Sequence, residues 1–352
     1  MLFDPHTDAH APSRAIVPEL LEEYGSLARA SLFRYLPSHE PRRHLYDLAA
    51  DYPRRGGRAM RPSLCIAATR AFGGSLEDAL DTATAIELFH NALLIHDDIE
   101  DESEVRRRAP TLHAAHGVPL AINAGDTLAL LSFRPLVANV PRLGPRLSMR
   151  IIEETERMAT ESAEGQAMEL GWRRDNAVEV READYLEMVL KKTCWLATIH
   201  PLRIGAMIAT RDRVPLDPFI RFGFLLGAAF QIQDDLLNLV GDEHAYGKEL
   251  DGDIHEGKRT LMLIRLLERA SAPERAAILE LLARPRAERS AAQVRWVRAL
   301  MDEYDCIEYA RAVAHGLAGA ALHEFTQIFG PLPDSRDKQF IAGLTTWVLA
   351  RT

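Results

Sequence analysis

ALDTATAIELFHNALLIHDDIED, from Ala79 to Asp101, is the stretch that decides the fold. It is mostly apolar up to Ile95 and then ends in a run of acidic residues. The run is long enough for a helix of several turns, and a helix that is apolar nearly all round belongs inside a bundle or at a subunit interface. The stretch therefore predicts a buried helix with an acidic end.

A second stretch, FIRFGFLLGAAFQIQDDLLN, ends at Asn238 in the same way. Positions i and i+4 share one face of a helix, so Asp97 and Asp101 converge. The same spacing brings Asp234 and Asn238 together. Hard oxygen ligands from two helices suit Mg²⁺, which substrate phosphates usually complete. One acidic pair alone is typical of a solvated surface, but two matched copies on apolar helices favour a metal site.

Helical periodicity extends over most of the chain, and alternating strand patterns are nearly absent. No composition shift marks a linker, so we expect residues 1–352 to form one all-α domain of ten or more helices around a deep central cavity, with a loose tail at 1–12. Besides 79–95 and the region around residues 20–36, the predicted helices are 185–209, 219–240, 261–282 and 310–329. Residues 173–176 and 241–257 are predicted to be loops.

The composition of the chain argues against several classes of function. The 352 residues have a formal charge of −9, which argues against nucleic acid as the main partner. No run of 18 apolar residues exists, so no transmembrane helix is expected. The N-terminal residues lack the pattern of a leader peptide, which predicts a cytoplasmic protein. The three cysteines lie far apart among apolar neighbours, as buried small side chains do.

Basic residues accompany both acidic ends, as an anionic ligand requires. Each group alone is typical of a solvated surface or loop. Together they indicate a cavity that holds diphosphates through metal ions on one side and through cationic side chains on the other. The groups are Arg58 and Arg61 after a Gly-Gly turn, Arg106–Arg108, Lys191–Lys192, Lys248 and Lys258.

Two motifs suggest other chemistry and are rejected. Residues 252–259 approach a phosphate-binding P-loop, but Arg259 stands where Ser or Thr is needed and no strand precedes it. Glu87 and His90 form half of a di-iron motif, and no second half exists in the sequence. His96 is expected to be a packing or supporting residue.

These segments, in this order, resemble the trans-isoprenyl diphosphate synthases (polyprenyl synthetase family), most closely the geranylgeranyl and farnesyl diphosphate synthases. The resemblance spans about 56–260. Its motifs are GGRAMRP at 56–62, DDIED at 97–101 with the following arginines, Gly165-Gln166, Lys192-Thr193, Phe230-Gln231, DDLLN at 234–238 and the segment from Gly247 to Lys258.

The resemblance implies an all-α isoprenoid-synthase fold and a Mg²⁺-dependent condensation of isopentenyl diphosphate with an allylic diphosphate. The implied metal ligands are Asp97, Asp101 and Asp234, supported by Asp98, Asp235 and Asn238. The implied residues for the allylic diphosphate are Arg106, Lys192 and Lys248, with Lys258 nearby. Those for isopentenyl diphosphate are Arg58, Arg61, His90 and Arg107. Thr193 and Gln231 are implied to lie beside the reacting carbons.

The sequence departs from the family pattern at four positions. Arg58 replaces the usual Lys, Ala59 replaces an Arg, and Arg108 stands where Gly is common. Asn238 replaces the last Asp of the second motif, a form familiar among geranylgeranyl diphosphate synthases.

Product length is expected to depend on the helix that ends at Asp97. Ala92 and Leu93 are not aromatic, and Phe89 lies a turn deeper as a candidate floor. We therefore predict a C20 product, with C15 or C25 as alternatives. Two other functions remain open: a terpene synthase-like lyase and a non-catalytic subunit of a heteromeric synthase. The resemblance implies a homodimer.

Overall fold

The computed structural model describes residues 16–241 and 250–351, which are mostly helical. The expectation of an all-α fold with ten or more helices is confirmed. The predicted tail at 1–12 lies outside the described residues. The longer helices are Ile16–Tyr35 (α1), Met60–Ala71 (α2), Leu76–Glu100 (α3), Val118–Leu131 (α4), Pro145–Arg174 (α5), 182–210 (α6), Pro218–Val240 (α7), Leu261–Arg269 (α8), Ala272–Leu282 (α9), Ala291–Glu303 (α10), Cys306–Phe329 (α11) and Arg336–Trp347 (α12).

Short elements connect these helices. Within the described residues, the only sheet is an antiparallel hairpin of Val105–Arg106 (β1) and Ala109–Pro110 (β2). None of the described helices is long and apolar enough to cross a membrane. The shorter helical segments are Arg42–Tyr46, Asp47–Ala49, Asp51–Arg54, Leu112–His116, Phe133–Ala138, Val140–Leu143, Gly252–Glu256 and Arg286–Glu288.

The prediction of one helix over 261–282 is wrong, because the chain breaks between α8 and α9. Ser271 caps the second helix, and the Glu274 side chain bonds back to the Ser271 backbone in a capping box. Pro273 stands in the first turn of α9, where its missing N–H costs nothing. The polar stretch at 173–176 and the loop at 241–257 were also predicted to contain no helix, and residues 242–249 of that loop lie outside the described residues. Instead, α5 extends to Arg174, and Gly252–Glu256 forms a short helix.

Helix α3 is apolar on nearly every side because it packs against separate parts of the core. Ala83 and Ile86 belong to a cluster that includes α2, whereas Leu88 and Ala92 pack in a second cluster with α4. Ser75 begins the helix, since its side chain accepts a hydrogen bond from the Asp78 backbone. The apolar stretch of the sequence thus becomes a central helix whose last turn is acidic.

Helix α7 is buried in the same way. Its first turns join an aromatic group, where the Phe222 and Phe329 rings lie 5.9 Å apart. Gly223 lets α7 approach α6 closely, because a Cβ there would lie 2.9 Å from the Ile199 Cα. Both long helices therefore deliver their acidic ends to one region of the molecule.

Candidate active site

A cavity of about 560 Å³ lies where α3, α5, α6 and α7 meet, and both acidic helix ends line it. Asp97 lines it from α3 and Asp234 from α7. Its apolar wall includes Leu93, Leu196 and Phe230. The structure thus places the two predicted acidic motifs at one site, next to an apolar space.

The first two aspartates of the α3 motif lie in different environments. Asp97 faces the cavity with 29% of its side chain exposed, and its Oδ1 lies 3.6 Å from Lys192 Nζ. Asp98 is buried and accepts hydrogen bonds from Tyr52 Oη at 2.5 Å and Arg106 Nε at 2.7 Å. Arg106 was predicted to hold the diphosphate; although it borders the cavity, its guanidinium is engaged by Asp98.

Asp101 is buried between two cations. Arg173 Nη1 donates to its Oδ1 at 2.5 Å, and Lys258 Nζ donates to its Oδ2 at 2.7 Å. Burial acts to raise the pKa of Asp101, but the charge of Lys258 and the other cations outweighs it and holds that pKa below its ordinary value. Arg286 Nη1 bonds both the Asp101 carbonyl and the Glu256 side chain, which in turn contacts Lys258. This network connects the end of α3 to the segment after α7.

The first two aspartates of the second motif, on α7, also lie in different environments. Asp234 accepts a hydrogen bond from Arg351 Nη2 at 2.6 Å. Asp235 is buried and accepts from Tyr185 Oη at 2.8 Å and Gln231 Nε2 at 2.7 Å. Burial raises the pKa of Asp235, against these two hydrogen bonds. In each motif the first aspartate faces the cavity and the second is tied into the protein.

Asn238 anchors the segment that follows α7. Its Oδ1 accepts from the Asp253 backbone at 3.0 Å, and its carbonyl accepts from the Asp251 backbone at 2.8 Å. The supporting position predicted for Asn238 at the metal stays a prediction, as does that of Asp235. Asp253 and Lys258 both line the cavity. The predicted diphosphate residue Lys248 lies outside the described residues.

Lys192 and Thr193 lie in a π-helical stretch of α6, Leu190–Ile199. Such stretches are frequent at functional sites, because the extra residue per turn shifts the side chains that follow. Gly165 lets α5 approach there, since a Cβ would lie 2.2 Å from the Lys192 backbone nitrogen. Lys192 also pairs with the buried Glu169. Burial acts to lower the pKa of Lys192, but Asp97 and Glu169 raise it, so the amine stays charged.

Thr193 and Gln231 meet at the cavity wall. Thr193 Oγ1 donates to Gln231 Oε1 at 2.8 Å, while Gln231 Nε2 donates to Asp235. The amide is therefore held in one orientation by two partners. The two residues that were predicted to lie beside the reacting carbons are brought together.

A basic group lies at the same cavity, since Arg61 and His90 both line it. Arg61 Nη1 is 3.3 Å from His90 Nε2, and Arg107 Nη1 donates to the Tyr52 carbonyl at 2.7 Å. Burial, with the nearby arginine charges, lowers the pKa of His90 well below its ordinary value. His90 is therefore neutral at pH 7. A Cβ on Gly57 would lie 2.6 Å from Arg107 Nη2, so the glycine turn lets the guanidinium approach the backbone.

Arg58 is exposed, and its guanidinium lies 5.8 Å from the ring centroid of Trp347 in α12. The unusual Arg108 has a φ of 62°, and Arg107 before it has a φ of 53°. The hairpin turn needs two left-handed residues there, which explains why glycine suits position 108.

The candidate residues for product length separate in space. Leu93 lines the cavity. Phe89 packs against the same apolar cluster as Leu93, one turn away. Ala92 is 1% exposed and packs toward α4. Of the three, Leu93 is the residue placed at the cavity surface.

Sequence reasoning missed five residues that contact the motif residues. Glu169 is three residues after Gln166 on the same helix, and that spacing was the available signal. Arg173 begins the polar stretch that is predicted to be a loop. No local pattern marks the others, since their partners are distant in sequence. These others are Tyr52, Tyr185 and Arg351.

The donor chemistry of the site suits Mg²⁺. Cavity-facing carboxylates come from two helices, and their present partners are cationic side chains. Among the described residues, no three acidic or metal-binding side chains converge to hold an ion by themselves. Mg²⁺ commonly binds through one or two carboxylates and takes its other ligands from water and substrate phosphates. The residues present therefore fit a magnesium ion that arrives with a diphosphate.

Comparisons with known proteins agree with this geometry. Residues 42–301 match the polyprenyl synthetase family model. The short chain isoprenyl diphosphate synthase of Methanothermobacter thermautotrophicus is 36% identical over 259 residues, 74% of this chain and 77% of that protein. The geranylgeranyl diphosphate synthase of Sulfolobus acidocaldarius is 35% identical over 238 residues, 68% of this chain and 71% of that protein.

Among solved structures, the geranylgeranyl pyrophosphate synthetase of Pyrococcus horikoshii has a TM-score of 0.82 and 31% identity, covering 95% of this chain and 99% of that chain. The matched family region contains both acidic motifs and most of the cavity wall. The chain belongs to the polyprenyl synthetase family.

Proposed function

We propose that this protein condenses isopentenyl diphosphate with an allylic diphosphate, head to tail and in the trans sense, and releases diphosphate. One observation supports this most strongly. Two acidic helix ends and a separate group of basic residues flank one partly apolar cavity. Two diphosphates and a hydrocarbon chain need those three surfaces together.

The reaction begins when the allylic C–O bond breaks and the diphosphate leaves with the electron pair. The cation then adds to the double bond of isopentenyl diphosphate, and loss of a proton restores a double bond. Charge that develops on the leaving group is stabilised most by preorganised cations in a water-poor site. Mg²⁺, when bound, supplies further neutralisation of that charge.

Several side chains match these demands. Lys192 stays charged and lines the cavity, which supports a role in neutralising the leaving diphosphate. The oriented Gln231 amide and Thr193 line the cavity, and their dipoles suit the stabilisation of a carbocation. Arg61 and Arg107 offer cations to the second diphosphate, and neutral His90 contacts Arg61. The apolar wall excludes water that would quench the cation.

A lyase that cyclises one prenyl diphosphate has no need of the basic group around Arg61, and a non-catalytic subunit has no need of a complete first acidic motif. Both features are present, so the synthase is favoured. The test is to incubate pure protein with Mg²⁺, isopentenyl diphosphate and C5, C10 or C15 allylic diphosphates, and to weigh the products. Chain elongation supports the synthase; cyclic hydrocarbons or no turnover would contradict it.

The proposed main product is geranylgeranyl diphosphate (C20). Leu93 at the cavity surface is not aromatic, so it leaves room beyond a shorter chain. The names of relatives such as the Sulfolobus acidocaldarius and Methanosarcina mazei geranylgeranyl diphosphate synthases support the same length.

We predict that Leu93→Phe shifts the products toward C15, because the larger ring fills space that the chain occupies. Phe89→Ala is expected to lengthen the products, since it opens the next turn of α3. Chromatography and mass spectrometry of the products check both. Ala92→Ser is the matched control, because Ala92 packs away from the cavity. An unchanged product spectrum in both test variants would refute α3 as the chain-length determinant.

The assembly we propose is a homodimer through α4 and the segments that follow it. Leu130 is 70% exposed, Val137 is 61% exposed and Phe133 is 54% exposed, and such groups of apolar side chains mark interaction sites. We predict that Leu130→Glu with Phe133→Glu gives a monomer by light scattering at a protein concentration where the unchanged chain is a dimer. Leu322→Glu, an exposed change on α11, is the control. A dimer that survives the double change would contradict this interface.

A further inference from the structure

A buried arginine at the end of the chain contacts the second acidic motif. Arg351 follows α12, and 6% of its side chain is exposed. Its Nη2 donates to Asp234 Oδ1 at 2.6 Å. Its guanidinium carbon lies 4.3 Å from the ring centroid of Phe230, which stands one turn before Asp234. Arg351 is thus held by a ring and a carboxylate that both line the cavity.

The guanidinium is only partly satisfied. Nε and Nη1 of Arg351 are buried and have no hydrogen-bond partner among the described residues. A buried charged donor without an acceptor is costly, and a guanidinium has five N–H groups arranged for bidentate binding of phosphate oxygens. Nε and Nη1 of Arg351 therefore need hydrogen-bond acceptors, which the oxygens of a bound diphosphate would supply.

The backbone of Arg351 is anchored beside the same motif. Its carbonyl accepts from Gln233 Nε2 at 3.3 Å. Trp347, in the last turn of α12, lies 5.9 Å from the Arg351 guanidinium carbon and 5.8 Å from that of Arg58. The C-terminal segment is therefore in contact with both acidic and basic sides of the site, which keeps the guanidinium within reach of a ligand there.

The family resemblance implies that Asp234 is a metal ligand, so Arg351 and a divalent ion would attract the same carboxylate. Two cations on one carboxylate repel each other. A diphosphate that arrives with the metal offers new oxygens to the displaced guanidinium. We propose that Arg351 neutralises Asp234 before the metal binds. When a diphosphate binds with the metal, the Arg351 guanidinium would then donate hydrogen bonds to the diphosphate oxygens. This inference rests on the proposed function.

The test compares Arg351→Gln with the unchanged protein in two binding titrations. The first measures Mn²⁺ alone by electron paramagnetic resonance, and the second measures inorganic pyrophosphate by calorimetry at saturating Mg²⁺. We expect Arg351→Gln to bind Mn²⁺ about tenfold more tightly, because a competing cation is lost. We expect it to bind pyrophosphate about tenfold more weakly, because a charge-assisted hydrogen bond is lost.

The opposite directions separate this proposal from a structural effect, which would weaken both titrations. Arg351→Lys keeps the charge but lacks the planar guanidinium. Its Mn²⁺ affinity should therefore stay close to that of the unchanged protein, while its pyrophosphate affinity should fall. Arg336→Gln, an exposed change on α12, is the control. Unchanged affinities in Arg351→Gln, or two shifts in one direction, would overturn the proposal. If the unchanged protein binds no pyrophosphate with Mg²⁺, the proposed function itself fails.

Discussion

Asp97→Ala and Asp234→Ala are each expected to lower kcat by several orders of magnitude while the protein stays folded. Both carboxylates face the cavity and are partly exposed, so their loss leaves no large hole in the core. Each one would hold the metal that neutralises the leaving diphosphate, and that neutralisation is needed most in the transition state. Steady-state kinetics with saturating Mg²⁺ check the effect.

Glu77→Ala is the matched control for these two variants, because Glu77 is an exposed carboxylate in the first turn of α3. Circular dichroism should match the unchanged protein in all three, and urea unfolding should match it in Glu77→Ala. Asp234→Ala is expected to unfold at a lower urea concentration, because it leaves the buried Arg351 without its carboxylate. A kcat near normal in either Asp variant would remove that residue from the metal site. A loss in Glu77→Ala of similar size would show that the assay reports helix stability.

Arg106→Met is expected to destabilise the ligand-free protein by about 3–5 kcal/mol, because it leaves the buried Asp98 carboxylate without its cation. The urea unfolding free energy measures this directly. The double variant Arg106→Met with Asp98→Asn should recover part of the loss, since the neutral amide still accepts from Tyr52.

This experiment also decides what Arg106 does. If Arg106 served mainly to hold the allylic diphosphate, its substitution would raise KM and leave the unfolding free energy unchanged. Arg108→Met is the control, because Arg108 is the exposed neighbour in the same hairpin. If Arg106→Met is as stable as the unchanged protein, Arg106 is not needed to stabilise Asp98, and its role is to bind the diphosphate.

Much of the site was predictable because its chemistry is local. The i, i+4 spacing of Asp97 and Asp101 marks one face of a helix, and its repetition at Asp234 and Asn238 predicted two acidic helix ends at one site, which the structure brings to one cavity. The motif Lys192-Thr193 interrupts an apolar helix, and this position distinguishes Lys192 from a lysine on an exposed helix face. The break between α8 and α9 was missed, although Ser271, Pro273 and Glu274 are its local signals.

The contacts that give each carboxylate its present environment were not predictable in the same way. Asp101 meets Arg173 and Lys258, which are 72 and 157 positions away, and Asp234 meets Arg351, 117 positions away. Tyr52 and Tyr185 look like ordinary core residues in the sequence, yet each donates to the second aspartate of a motif.

By itself, the sequence determined the helical class, the two acidic helix ends and the basic residues that accompany them, because periodicity and spacing act within a few turns of one helix. Only the tertiary structure decided which aspartates face the cavity, which cation contacts each of them, and that Leu93 rather than Ala92 lines the cavity. Those outcomes depend on how helices distant in sequence pack against one another, and packing is set by the whole core at once.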